Sequence, residues 1–277
     1  AIPLAARFGE AIMLEGYSAP EGPVQPGTAV PITLYWRALA PIEEQWSVAV
    51  KLFGRDEHLL AESASYPDAG RWPTRGWPQD VLIADRRTLL MPQDVSTPAL
   101  GQVEVDLFRL SDLHWLPVTV EEQPVRPFRP FSLVLRSTEP APPAGFLLRP
   151  LVEQVGVANG VLEVQYAWQV GQQPSVSYQT FLHLATDATQ SPVAQQDFAP
   201  LAGSFPSPYW LPGDHLLDQA TLLLPTGEEP GNYLVLLGLY DLETKQRVVG
   251  EDGTMAWTIA RLHWDGSQWQ VVTTDEG

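Results

Sequence analysis

Five aromatic side chains, Trp72, Trp77, Phe205, Tyr209 and Trp210, lie in Pro- and Gly-rich stretches instead of in regular strand patterns. Rings displayed on a loop can stack on the apolar face of a sugar, supplying area with few rotamers to freeze. These five are therefore the candidate ligand-binding residues. The competing role is structural, with the rings folding back to plug the open end of a sandwich, and their presence in both halves of the chain fits that role somewhat better.

The remaining chemistry-bearing residues point away from catalysis. His58, His114, His183, His215 and His263 show no HExxH-type metal spacing. His183 falls on the outward phase of its strand and is expected as a solvated face position. A glycoside hydrolase needs two carboxylates about 5–10 Å apart across a cleft. Asp85 and Asp218 occupy matching places in the two halves, as Asp68 and Asp197 nearly do. A carboxylate that recurs in this way reads as a turn cap whose oxygens accept backbone N–H bonds. No Asp-x-Asp-x-Asp-Gly loop suggests calcium. No Gly-x-Ser-x-Gly elbow offers a serine nucleophile, and Gly-rich phosphate loops are missing. The chain has no Cys, which excludes thiol catalysis, disulfides and Cys-ligated metals. The sequence thus assigns no catalytic residue, no metal ligand and no cofactor.

The elements that must position these residues emerge from self-comparison. In Val30–Arg37 the apolar residues Val30, Ile32, Leu34 and Trp36 keep the period of two of a half-buried strand. Adding 132 gives Leu162, Val164, Tyr166 and Trp168, with the same alternation. Trp46, Val48, Val50 and Leu52 map in the same way onto Tyr178, Thr180, Leu182 and Leu184. An offset of 133 aligns Pro73 with Pro206, Trp77 with Trp210, Asp85 with Asp218, and Pro92 with Pro225. Val103, Val105 and Leu107 return to 132 with Val235, Leu237 and Leu239. Each copy reads as strand, turn, strand, a Pro/Gly/Trp-rich excursion, strand, turn, strand. The excursions are Tyr66 to Trp77 and Phe198 to Trp210. Trp36, Trp46 and Trp168 face inward as core.

With 277 residues, 44% hydrophobic, 27 Pro and 21 Gly, the chain is turn-rich and long enough for two cores. Turn signals stand at Pro26-Gly27, Pro212-Gly213 and Pro230-Gly231. No amphipathic helix longer than about two turns is readable. The expected fold is all-β: two tandem β-sandwich modules of immunoglobulin-like or jelly-roll type, related by an internal repeat. Module one spans 1–138, a Pro-rich linker 139–146, and module two 147–277, with a last strand through Trp269 and Val271. The formal charge of −17 argues against nucleic acid and against an anionic membrane surface. No stretch approaches the ~20 apolar residues of a membrane span, so no direct span is expected in this chain.

Certain residues carry a family likeness. Phe8-Gly9, Ile12-Met13-Leu14-Glu15-Gly16-Tyr17, Pro26-Gly27 and Leu34-Tyr35-Trp36-Arg37-Ala38-Leu39 form one set. Phe181-Leu182-His183-Leu184, Gln196-Asp197, Trp210, Pro212-Gly213-Asp214, Asp218, Gly238-Leu239-Tyr240-Asp241 and Arg247 form another. Together they resemble the soluble C-terminal region of bacterial polytopic membrane glycosyltransferases, of the dolichyl-phosphate-mannose protein mannosyltransferase-like type. The first copy departs at Trp77-Pro78-Gln79-Asp80 and at Phe108-Arg109; the second lacks the Gly-Tyr opening. The resemblance implies an extracytoplasmic location and a glycan-related context. The family's chemistry resides in a membrane domain, so no catalytic residue carries over. The expected function is a non-catalytic accessory module in glycan or envelope assembly, with a saccharide or another envelope protein as partner. A self-associating structural or adhesive surface protein is the alternative.

Overall fold

The computed structural model describes residues 1–137, 139–250 and 253–272. The chain divides into two units, Ala1–Thr138 and Glu139–Gly277. Every named strand pairing is antiparallel, and among the described residues the only helical segments are 3-10 turns of three or four residues.

In the first unit one sheet joins β1 (Ile2–Phe8), β2 (Ile12–Ser18), β3 (Ala29–Ala38) and β6 (Leu82–Leu90). Strands β9 (Val118–Val120) and β10 (Gln123–Pro124) extend it on the β1 side. The second sheet runs β11 (Phe131–Leu135), β7 (Ala99–Arg109), β4 (Ser47–Phe53) and β5 (Leu59–Ser65), with β8 (His114–Trp115) on β7. Alternation decides which side chains enter the core. Val30, Ile32, Leu34 and Trp36 of β3 are buried in one cluster with Val48, Val50 and Leu52 of β4 and Val103, Val105 and Leu107 of β7. Two sheets sharing one apolar layer is a sandwich-like arrangement.

The second unit has a three-stranded sheet of β12 (Leu148–Ala158), β13 (Val161–Val170) and β16 (His215–Leu223). Its other sheet has five strands in the order β15 (Ala194–Phe198), β14 (Tyr178–Ala185), β17 (Gly231–Asp241), β18 (Trp257–Trp264) and β19 (Trp269–Val272). Strand β19 falls where Trp269 and Val271 suggested one. Pro230-Gly231 marks a strand start, since Gly231 opens β17. The Pro-rich segment 139–146 is tied to this unit by Ala141 N–H to Pro212 O (2.8 Å) and Ala144 N–H to Gly171 O (2.8 Å).

Candidate functional site

The excursions show what their Pro, Gly and Trp residues are for. In the first unit, Thr74 Oγ1 donates to Glu44 O (3.0 Å) and accepts from Trp46 N–H (2.8 Å). In the second, Ser207 Oγ donates to Val176 O (2.9 Å) and accepts from Tyr178 N–H (2.8 Å). The Trp77 indole donates to Trp72 O (2.9 Å), and the Trp210 indole to Phe205 O (2.8 Å). Each pair of residues stands 132 or 133 positions apart. Ahead of these bonds, Asp68, Ala69 and Gly70 turn left-handed, as do Leu201, Ala202 and Gly203. Left-handed backbone costs a non-glycine residue about 1–2 kcal/mol. A carboxylate, buried in the first unit and half-buried in the second, offsets that cost: Asp85 Oδ1 accepts Asp68 N–H (2.7 Å), and Asp218 Oδ2 accepts Leu201 N–H (2.9 Å).

This architecture corrects the reading of the five aromatic candidates. Trp77 is 5% exposed, and Phe205 and Trp210 are fully buried. A ring without an open face cannot stack on a sugar; these three plug the sandwich, with the indole N–H groups satisfied by main-chain carbonyls. Trp72 at 46% and Tyr209 at 40% keep one exposed ring in each excursion. They are not equivalent, because Trp72 aligns with the buried Phe205, and Tyr209 stands where the first unit has Gly76.

A concave polar surface lies elsewhere, on the outer face of the five-stranded sheet of the second unit. It is a depression of about 410 Å3 lined by Phe181 and His183 of β14, Gln195 and Asp197 of β15, and Tyr240 of β17. Lys245 and Arg247, from the segment after β17, complete it. That segment folds back because Asp241 Oδ1 accepts Glu243 N–H (2.8 Å) and Thr244 N–H (3.1 Å). Val248 N–H then rejoins Leu239 O (2.8 Å).

The floor is fixed by a close approach. Phe181 pairs across the ladder with Gly238, and a Cβ at Gly238 would sit 2.2 Å from Phe181 Cζ. The ring lies across that glycine with only 2% exposure. The Arg247 guanidinium stands 4.5 Å from its centroid, and His183 packs at 4.5 Å. Lys245 Nζ is 5.3 Å from the Tyr240 ring, whose hydroxyl donates to Asp197 Oδ2 (3.0 Å).

The expectation of a solvated His183 is therefore corrected. Its outward phase is as expected, but it is only 9% exposed, with Phe181 packed against it and Lys245 and Arg247 lining the same depression. Burial first, and the Arg247 cation second, lower its pKa below the ordinary histidine value, with Asp197 opposing. A neutral imidazole can both donate and accept a hydrogen bond. The sequence held one signal for this site, a glycine inside the otherwise apolar run Tyr233–Leu239, which marks a close approach to the strand.

The same face of the first unit is chemically closed. Lys51, at the position matching His183, is hydrogen-bonded to Asp106 (2.9 Å) and Glu104 (3.4 Å). Arg129 pairs with Glu57 and Glu104. A separate depression of about 470 Å3 in this unit includes Arg55, His58, Leu60, Asp94 and Val95, with Arg55 donating to Pro98 O (3.2 Å). Among the described residues no group of three or more His, Cys, Asp or Glu could hold a metal ion, and no helix is long and apolar enough to cross a membrane. Neither a protein-family model nor a curated protein matches this chain.

Proposed function

We propose that this chain is a non-catalytic accessory module that binds a saccharide on the outer face of the second unit, in an extracytoplasmic glycan-assembly context. One observation carries the reading. His183, Gln195, Asp197, Lys245 and Arg247 place hydrogen-bonding groups around one concave surface of about 410 Å3. A polyhydroxylated ligand is recognised by many converging donors and acceptors on a preformed surface. Three of the five excursion rings are buried, which leaves a single exposed ring in each excursion. The recurrent carboxylates Asp85 and Asp218 are occupied with backbone N–H groups, which favours a structural role for them over acid–base work.

The test is an NMR titration of the full chain with neutral and acidic oligosaccharides. Amide shifts should cluster in Tyr178–Ala185, Ala194–Phe198 and residues 238–248. Absence of shifts at millimolar ligand, or shifts centred on Trp72, would sink this reading.

A second reading, self-association, is favoured by Leu90 of β6 (72% exposed) and Leu217 and Leu223 of β16 (62% and 76%). Strands that end a sheet and carry exposed leucines invite pairing with another chain. Sedimentation across a hundred-fold concentration range distinguishes the two, since a constant monomer mass removes self-association.

A further inference from the structure

The second unit is poor in cations and does not distribute them evenly. Arg149, Lys245, Arg247 and Arg261 are its only Lys or Arg residues, against 16 acidic residues after position 138. Two of the four line the depression over Phe181. In the first unit, cations of the matching face are neutralised by Glu57, Glu104 and Asp106. Here, among the described residues, neither Lys245 nor Arg247 has a carboxylate within 4.0 Å; every such ion pair lies in the first unit. The single acid of the depression, Asp197, accepts the Tyr240 hydroxyl.

Cation–π contacts hold the two cations in place without neutralising their charge. Arg247 lies over Phe181 at 4.5 Å and Lys245 near Tyr240 at 5.3 Å. A guanidinium stacked on a ring keeps its N–H edges available for a planar, two-oxygen acceptor. Among the described residues no protein acceptor takes those N–H groups. The site therefore presents two oriented positive groups, neither in an ion pair, inside a unit that is otherwise strongly negative. Among the described residues Arg149 and Arg261 form no ion pair either; what sets Lys245 and Arg247 apart is that both line one depression, and that convergence points to a ligand's negative charge.

We infer that the ligand of this face is an acidic saccharide, with a sugar carboxylate seated between Arg247 and Lys245 and its hydroxyls hydrogen-bonded by His183, Gln195 and Asp197. This rests on the saccharide reading above and specifies the sugar's class. A uronic-acid oligosaccharide is the match. Its carboxylate complements the guanidinium edge, and its hydroxyls can donate to Asp197 and exchange hydrogen bonds with the neutral His183 and Gln195 beside it.

Calorimetric titration of the full chain tests it with three probes: a hexuronic-acid oligosaccharide, the uncharged hexose oligosaccharide of the same linkage, and inorganic phosphate. The uronate should bind at least about ten-fold more tightly than either other probe, a factor worth about 1.4 kcal/mol. Arg247→Gln and Lys245→Gln should each weaken the uronate about ten-fold more than they weaken the hexose, bringing the two affinities together. Both positions are exposed, and matching urea unfolding curves would show that the variants fold. Equal binding of uronate and hexose overturns the acidic assignment and leaves the saccharide reading standing. Binding of phosphate as tightly as uronate also overturns it, as does unchanged uronate affinity in both variants. No binding of either sugar removes both readings.

Discussion

The two units anchor the same left-handed turn with the same carboxylate, yet surround that carboxylate with different chemistry. In the first, Asp85 is fully buried and paired with Arg87, whose guanidinium also donates to Val48 O (3.0 Å) and to the carbonyls of Ser63, Ser65 and Tyr66. Trp36 Nε1 donates to the same carboxylate at 3.3 Å. In the second, Ala220 stands in place of Arg87, and the Tyr166 hydroxyl reaches Asp218 (3.1 Å) where the first unit has Leu34. Burial first, and the neighbouring Asp218 charge second, raise the Tyr166 pKa, so the phenol stays protonated and serves as a donor. A phenol can thus do locally what an ion pair does, at lower risk if one partner is lost.

That risk gives the largest predicted difference. Removing one partner of a buried ion pair leaves an uncompensated charge and costs about 3–5 kcal/mol. Asp85→Ala should destabilise the first unit by about that amount. Asp218→Ala removes bonds to neutral groups and should cost the second unit about 1–3 kcal/mol. Hydrogen exchange read by mass spectrometry follows each unit separately in the intact chain. The double replacement Asp85→Ala/Arg87→Ala should recover part of the loss, since no charge is then stranded. If Asp85→Ala and Asp218→Ala cost the same, the comparison between ion pair and phenol fails.

The aligned pair Trp72 and Phe205 sharpens the contrast at smaller scale. Phe205→Leu leaves a cavity in a fully buried site and should cost the second unit about 1–2 kcal/mol. Trp72→Leu alters a half-exposed ring and should stay within about 0.5 kcal/mol. Urea denaturation resolves the two. Equal costs would mean that Trp72 supports the first unit as Phe205 supports the second.

Much of this was readable before any coordinates, because strand alternation is a local property. The strand of Val30–Trp36, its partner at 162–168 and the inward Trp36, Trp46 and Trp168 follow from period two alone. The turn-capping role of Asp85 and Asp218 follows from their recurrence. The burial of Phe205 and the exposure of Trp72 do not, because aligned positions share a backbone path while their rings meet different neighbours. The outer-face site was illegible for a related reason. Alternation gives the face of His183 correctly but not which later residues line that face, and Lys245 and Arg247 join it from some sixty residues on. Gly238 was the local clue, and it names a close approach without naming what approaches.

The smallest effect concerns the matching positions Lys51 and His183, which should give the two units opposite pH responses. Burial lowers the pKa of Lys51, but its hydrogen bond to Asp106 and the charges of Asp106 and Glu104 outweigh that and raise it overall. A raised lysine contributes stability that is complete below its unfolded value, near 10.5, and is lost as pH rises through the folded value. His183 is lowered, so its unfolded form binds the proton more readily. Its contribution is complete above the unfolded value, near 6.5, and is lost as pH falls through the folded one. Arg247 and Lys245 face the imidazole with the same sign of charge, and Asp197 partly compensates. Acidification from pH 7 to 5 should therefore lower the protection factors of the β14 and β17 amides, each corrected for the intrinsic exchange rate at its pH, while leaving those of β4 and β7 little changed. His183→Gln should flatten that response, because its amide offers hydrogen bonds without titrating. Persistence of the same pH dependence in His183→Gln would assign it to another group on the face and leave the closed first-unit surface as the only half of the comparison tied to a named side chain.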